Sequence, residues 1–134
     1  MIGRSIAAQV SLVVLAAGCA TGSHDPATLE AERPLVADDF DRVVDLVLER
    51  GFRPLQVDAE ARRLSSDWID TETPMRPGLR RLYLDFVGDG RIELLVEVKW
   101  LRLGVWNDPY WTAPEVDYAE ENELIETIGS LIGS

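Results

Sequence analysis

Arg91–Leu103 reads RIELLVEVKWLRL, and its alternation decides the fold. Ile92, Leu94, Val96, Val98 and Trp100 fall on one side, Glu93, Glu97 and Lys99 on the other. A two-residue period over this length marks a strand of an antiparallel sheet with one apolar and one wet face. VGDGR, Val87–Arg91, is a tight hairpin signal, and RRLYLDFV before it, Arg80–Val87, alternates again through Leu82, Leu84 and Phe86. Further back, PLQVD (Pro54–Asp58) and RRLSSDWID (Arg62–Asp70) add two more strands, the second with Leu64, Ser66 and Trp68 together.

Such a sheet needs helices to cover its apolar face. DDFDRVVDLVLERG, Asp38–Gly51, repeats Phe40, Val43, Val44, Val47 and Leu48 at helical spacing. Asp38 suits the cap, Asp39 and Asp41 the positive end of the dipole, and Gly51 a left-handed stop. Those carboxylates are thus accounted for by helix energetics rather than by a metal. A second helix is expected over Val116 to Ile132, with Tyr118, Leu124, Ile125, Ile128, Leu131 and Ile132 as its stripe and Glu121 interrupting it. The order α-β-β-β-β-α predicts a two-layer α+β sandwich built on a four-stranded antiparallel sheet.

DFVGDGRIE, Asp85–Glu93, partly matches a calcium loop, but Val87 and Val96 stand where ligands would be needed, and both flanks alternate as strands. The hairpin reading prevails. GVWNDPYWTAP, Gly104–Pro114, puts Trp106, Tyr110 and Trp111 into one loop. Two readings stay open there: the rings fold back to cap the core, or they form a partner-binding surface. Catalytic arrangements are missing. The sole histidine, His24, sits in a polar stretch, no phosphate-cradling loop or nucleophile elbow occurs, and Ser65, Ser66 and Ser130 have no base in a recognisable arrangement. Asp67, Asp70 and Glu72 read as solvated. No metal or cofactor is expected.

The first residues carry a different message. Arg4 charges a short start, Ile6–Ala17 is an apolar run too short to span a bilayer, and small residues precede Cys19, the only cysteine. LAAGC resembles the lipobox of bacterial lipoprotein precursors, with Ala16 where leucine is more common. The resemblance implies cleavage after residue 18 and acylation of Cys19; Ala20 next to it implies the outer membrane, facing the periplasm. Two or more acyl chains anchor stably where one does not.

Removing residues 1–18 of 134 leaves 116, enough for one domain. Arg4 goes with them, so 12 basic face 24 acidic residues, a net charge of −12. That surface repels phosphates, and no nucleic-acid partner is expected. Residues 19–36, including TGSHDPATLEAERP, read as a lipidated flexible tether, and 37–134 as the domain.

Phe40–Trp68, FDRVVDLVLERGFRPLQVDAEARRLSSDW, is similar to the helix-grip units of BamC-type lipoproteins of the barrel-assembly machine. The likeness lies in the order of elements, from Asp38 to Ile132. BamC-type chains carry two such units and this one carries one, so no functional residue transfers. The expected role is a lipid-anchored, periplasm-facing, non-enzymatic domain that binds or supports another envelope component. The alternative is a small-molecule or lipid carrier with a cavity between the sheet and the C-terminal helix. A carboxylate-dependent enzyme comes third.

Overall fold

The computed structural model describes residues 25–72 and 75–133. Cys19, His24 and residues 1–18, read above as an export signal, lie outside the described residues. The elements run β1 (Ala27–Glu30), α1 (Ala37–Glu49), β2 (Pro54–Asp58), β3 (Arg63–Ser66), β4 (Ile69–Asp70), β5 (Gly78–Val87), β6 (Arg91–Leu103), β7 (Pro109–Trp111), β8 (Glu115–Val116) and α2 (Tyr118–Gly133). The chain is α+β, with two helices and an antiparallel sheet. The sheet has eight strands rather than four. Its main path is β1-β6-β5-β3-β2, with β4 on β5 and with β7 and β8 on β6.

β5 and β6 form the long hairpin that the alternation predicts, paired from Val87↔Arg91 to Gly78↔Trp100. Gly88 takes a positive φ of 64° in its turn, so the calcium-loop match is a hairpin. Leu82, Leu84, Phe86, Ile92, Leu94 and Val96 form one buried cluster with Phe40, Val43 and Val47 of α1 and Leu124, Ile128 and Ile132 of α2. Both helices therefore serve the same face of the sheet. Phe40 and Phe86 meet edge to face at 5.4 Å.

The segment read as a tether is partly structural, which corrects that boundary. Ala27–Glu30 pairs with Leu94–Arg91, Leu35 is buried, and the Leu35 N–H donates to the Asp89 carbonyl at 2.7 Å. Arg33 grips the Asp39 carboxylate with both terminal nitrogens at 2.8 Å and also donates to the Ile132 carbonyl at the end of α2. Asp39, not Asp38, completes the helix start by accepting from the Val36 N–H at 2.8 Å. The Arg33 hydrogen bonds hold the Asp39 carboxyl well below the usual range against its burial, helped by Val36 and Arg42. Gly51 stops α1 with a φ of 92°, as its position suggests.

Trp68 also departs from its expected side. Ser65 pairs with Tyr83 but Ile69 with Arg80, so one extra residue enters the chain between them. Such a bulge turns the following side chains over. Trp68 lies instead against Arg81 and Lys99, whose side chains alternate away from the core.

Glu121 is buried at 2% exposure, in the middle of the α2 stripe, whereas Tyr118 is exposed. β1 leaves the edge of β6 after Leu94 and β8 joins at Glu97, so Val96 has no strand beside it there. α2 and the residue before it close the gap: Glu121 accepts from the Val96 N–H at 3.0 Å, and the Asp117 N–H donates to the Val96 carbonyl at 2.9 Å. The acid that breaks the apolar pattern replaces a missing strand.

Burial pushes the Glu121 carboxyl up to about 7, with Asp117 adding to the rise and the Val96 N–H opposing it. The folded chain then keeps a proton that the unfolded chain releases near 4.5, so this group makes stability fall as pH rises between those values. Glu121→Gln retains an oxygen for Val96 and removes the titration. Urea melts should show the variant more stable than wild type at pH 8 by about 1–3 kcal/mol, with that gain gone at pH 4.

Candidate functional site

β6 outruns the core. Its last three residues leave the helices behind and pair with β7 as Leu101↔Trp111, Arg102↔Tyr110 and Leu103↔Pro109. Thr112 extends the ladder, its Oγ1 accepting from the Trp100 N–H at 2.9 Å and its own N–H donating to the Trp100 carbonyl at 2.8 Å. The loop between the strands closes on itself: the Gly104 N–H donates to the Asp108 carbonyl at 2.8 Å and the Asn107 N–H to the Gly104 carbonyl at 3.1 Å. A Cβ on Gly104 would sit 3.3 Å from the Asp108 carbonyl oxygen and 3.4 Å from the Tyr110 ring, so the chain crosses itself closely at this point.

The base of the hairpin is pinned on both faces of the sheet. On the helix side, the Trp100 ring lies so close across Gly78 that any Cβ there would come within 2.5 Å of it. Arg76 sits over the same ring at 4.1 Å. On the opposite face a line of rings and cations runs across the strands. Lys99 Nζ stands 5.4 Å from the Trp111 ring and 4.4 Å from Trp68, while the Arg81 guanidinium lies 4.2 Å from Trp68 and 5.2 Å from Tyr83. Arg81 also holds Glu97 at 2.9 Å. Glu97, expected on the wet face, is inaccessible beneath this cover, with Val116 opposite it on β8. Cation–π contacts of this type contribute about 0.5–2 kcal/mol each, more when shielded from water.

The tip is unlike its base. Leu103, Val105, Trp106 and Tyr110 are exposed, Trp106 at 90%. Of the three aromatic residues singled out in the sequence, Trp111 is tied to the outer face, Tyr110 is half exposed beside Gly104, and Trp106 stands in solvent. The rings do not cap the core, which Phe40, Phe52 and Phe86 fill with aliphatic neighbours. Pro77 arrives at the same end, its carbonyl accepting from the Leu101 N–H at 3.0 Å. Met75, two residues before it, is 92% exposed. Five of the eleven exposed large hydrophobic residues among those described belong to the hairpin.

Trp106 breaks two local rules at once. Its backbone is left-handed, φ 64° and ψ 23°, followed by Asn107 at φ 59°. Asparagine adopts that conformation readily, whereas a bulky residue there costs on the order of 1–2 kcal/mol. The ring also gains no burial in return. Folding gives no reason for tryptophan at this position, and such residues cluster where a protein meets something else.

The buried acids have structural work. Asp39 joins Arg33, Glu97 joins Arg81, Glu121 holds Val96, and Glu93 lies 3.6 Å from Arg91. Among the described residues no three His, Cys, Asp or Glu side chains gather as a metal site, and no helix is long and apolar enough to cross a membrane. Comparison with protein-family models and with curated proteins finds no match to this chain.

If Trp106 is retained for contact rather than for folding, Trp106→Gly should relieve the left-handed strain. Thermal unfolding of the variant should occur at or above the wild-type midpoint. A drop of several degrees would show that the ring supports the fold.

Proposed function

We propose that this chain is a lipid-anchored, periplasm-facing domain, held at the outer membrane through Cys19, that works by binding another envelope component and not by catalysis. The observation that carries the reading is Trp106, presented on a strained, ring-bearing hairpin tip outside the core. Aromatic anchors that stand clear of a rigid base are what a docking surface uses. The rigid base is supplied by Trp100 over Gly78 and by the line from Trp111 to Tyr83.

The fold fits the same reading as a single helix-grip-like unit, with α2 lying along β6 and β1 and extra short strands added to the far edge of β6. Against the carrier alternative, Leu94, Val96, Leu124 and Ile128 occupy the space between sheet and C-terminal helix and are fully buried. A ligand cavity at that place would have to displace them.

The anchor is tested by metabolic labelling with a fatty-acid analogue. Wild type should carry the label and Cys19→Ser should lose it; absence of label from both would overturn the anchoring. Docking is tested in the same cells with a photo-crosslinker placed at position 106. Adducts formed from position 106 and not from the exposed Glu60 position support the hairpin as the docking surface; no adduct from either contradicts it.

A further inference from the structure

We infer that the surface met by the hairpin tip is the bilayer itself: Leu103, Val105 and Trp106 form a wedge in the lipid headgroup region of the membrane that holds Cys19. This names the partner of the docking surface described above and rests on the anchoring reading.

Direction comes first. β1 runs antiparallel to β6, with Ala27 opposite Leu94 and Glu30 opposite Arg91. The N-terminal end of β1 therefore points along β6 toward the hairpin tip, away from the Gly88–Gly90 turn. Length comes second. Eight residue steps separate Cys19 from Ala27, a reach of at most about 27 Å. Nine steps along β6 separate Leu94 from Leu103, about 30 Å of strand. The reach of that segment is thus no greater than the strand length from Leu94 to Leu103, so a lipid on Cys19 sets the bilayer no farther from Ala27 than the hairpin tip stands. Interfacial elements bury their apolar side about 5–10 Å into the headgroup and acyl boundary.

The chemistry of the two ends agrees. Residues 101–111 contain one cation, Arg102, and one acid, Asp108, so the tip is neutral in a chain of net charge −11. Trp106 and Tyr110 are of the kind that settles at the headgroup level, and Leu103 and Val105 supply aliphatic area without charge. The opposite end presents Asp89 between two glycines, with Glu30 and Arg91 beside it. A bilayer placed there would meet charges and a polar turn. Since only residues 19–26 remain between the anchor and β1, the domain cannot stand far from the membrane, and its apolar end is the one the chain directs toward it.

The test uses the mature protein, acylated at Cys19, in phosphatidylethanolamine–phosphatidylglycerol vesicles with and without phospholipids brominated in the acyl chain. Bromolipid should quench the tryptophan emission of wild type. Trp106→Phe, which keeps a ring, should lose at least half of the quenchable signal. Leu103→Asp with Val105→Asp, both at exposed positions, should leave the protein anchored and reduce the quenching at least twofold. Equal emission with and without bromolipid, in protein that floats with the vesicles, overturns the wedge while leaving the anchor in place. Acylated protein that fails to float contradicts the anchoring and the wedge together. In cells, a crosslink from position 106 to phospholipid supports the wedge; a crosslink to protein alone overturns it and leaves docking by the hairpin standing.

Discussion

A strand thirteen residues long has two edges of backbone donors and acceptors, and burying its faces leaves no water to satisfy them. β5 pairs with one edge of β6 from Arg91 to Trp100. The other edge is closed piecewise: β1 takes residues 91–94, Glu121 of α2 and Asp117 just before it take Val96, β8 takes residues 97–98, and Thr112 with β7 takes the rest. Three of the four added strands, β1, β7 and β8, belong to this one edge, while β4 pairs with β5. Ala27–Glu30 belongs to the domain because residues 91–94 of β6 need a partner there. An acid sits in an apolar stripe because a carboxylate can accept from the amide that no strand reaches. The hairpin exists because the last part of β6 runs past the helices and still requires a partner.

Much of this is written plainly in the sequence. Alternation through Leu82–Phe86 and Ile92–Trp100 gives the central hairpin, and the spacing of Phe40, Val43 and Val47 gives α1 with its glycine stop. What stays hidden has local causes. Ala27–Glu30 is too short and too polar to announce a strand, and only its register with Leu94 makes it one. Pro109–Trp111 and Glu115–Val116 are shorter still. The extra residue between Ser65 and Ile69 reverses the face of Trp68, which a strict two-residue period cannot foresee. For the candidate site, composition reveals the ring-rich loop at Trp106, Tyr110 and Trp111 but not its exposure. Deciding between cap and contact surface requires knowing that the core is already full.

The same edge links the fold to the proposed function. β1 fixes where the chain leaves the domain and in which direction, and β7 fixes where the apolar tip stands. With so few residues between Cys19 and Ala27, those two placements are not independent. In the proposed reading, the Cys19 anchor and a second weak interfacial contact on one rigid body set its orientation, where a lipid alone would leave it swinging. On that proposal the left-handed Trp106 represents stability set aside for contact, in the manner of functional residues that conflict with their local structure.

Residue-resolved amide hydrogen exchange on the full chain tests the closed edge of β6 most directly. The Ala31 amide, bonded to the Gly90 carbonyl, and the Val96 amide, bonded to Glu121, should exchange with the slow group that includes the buried β5–β6 pairs. The Trp106 amide should exchange far faster. Exchange at Ala31 and Val96 as rapid as at Trp106 would mean that neither the N-terminal segment nor the acid of α2 closes that edge, and would contradict the account.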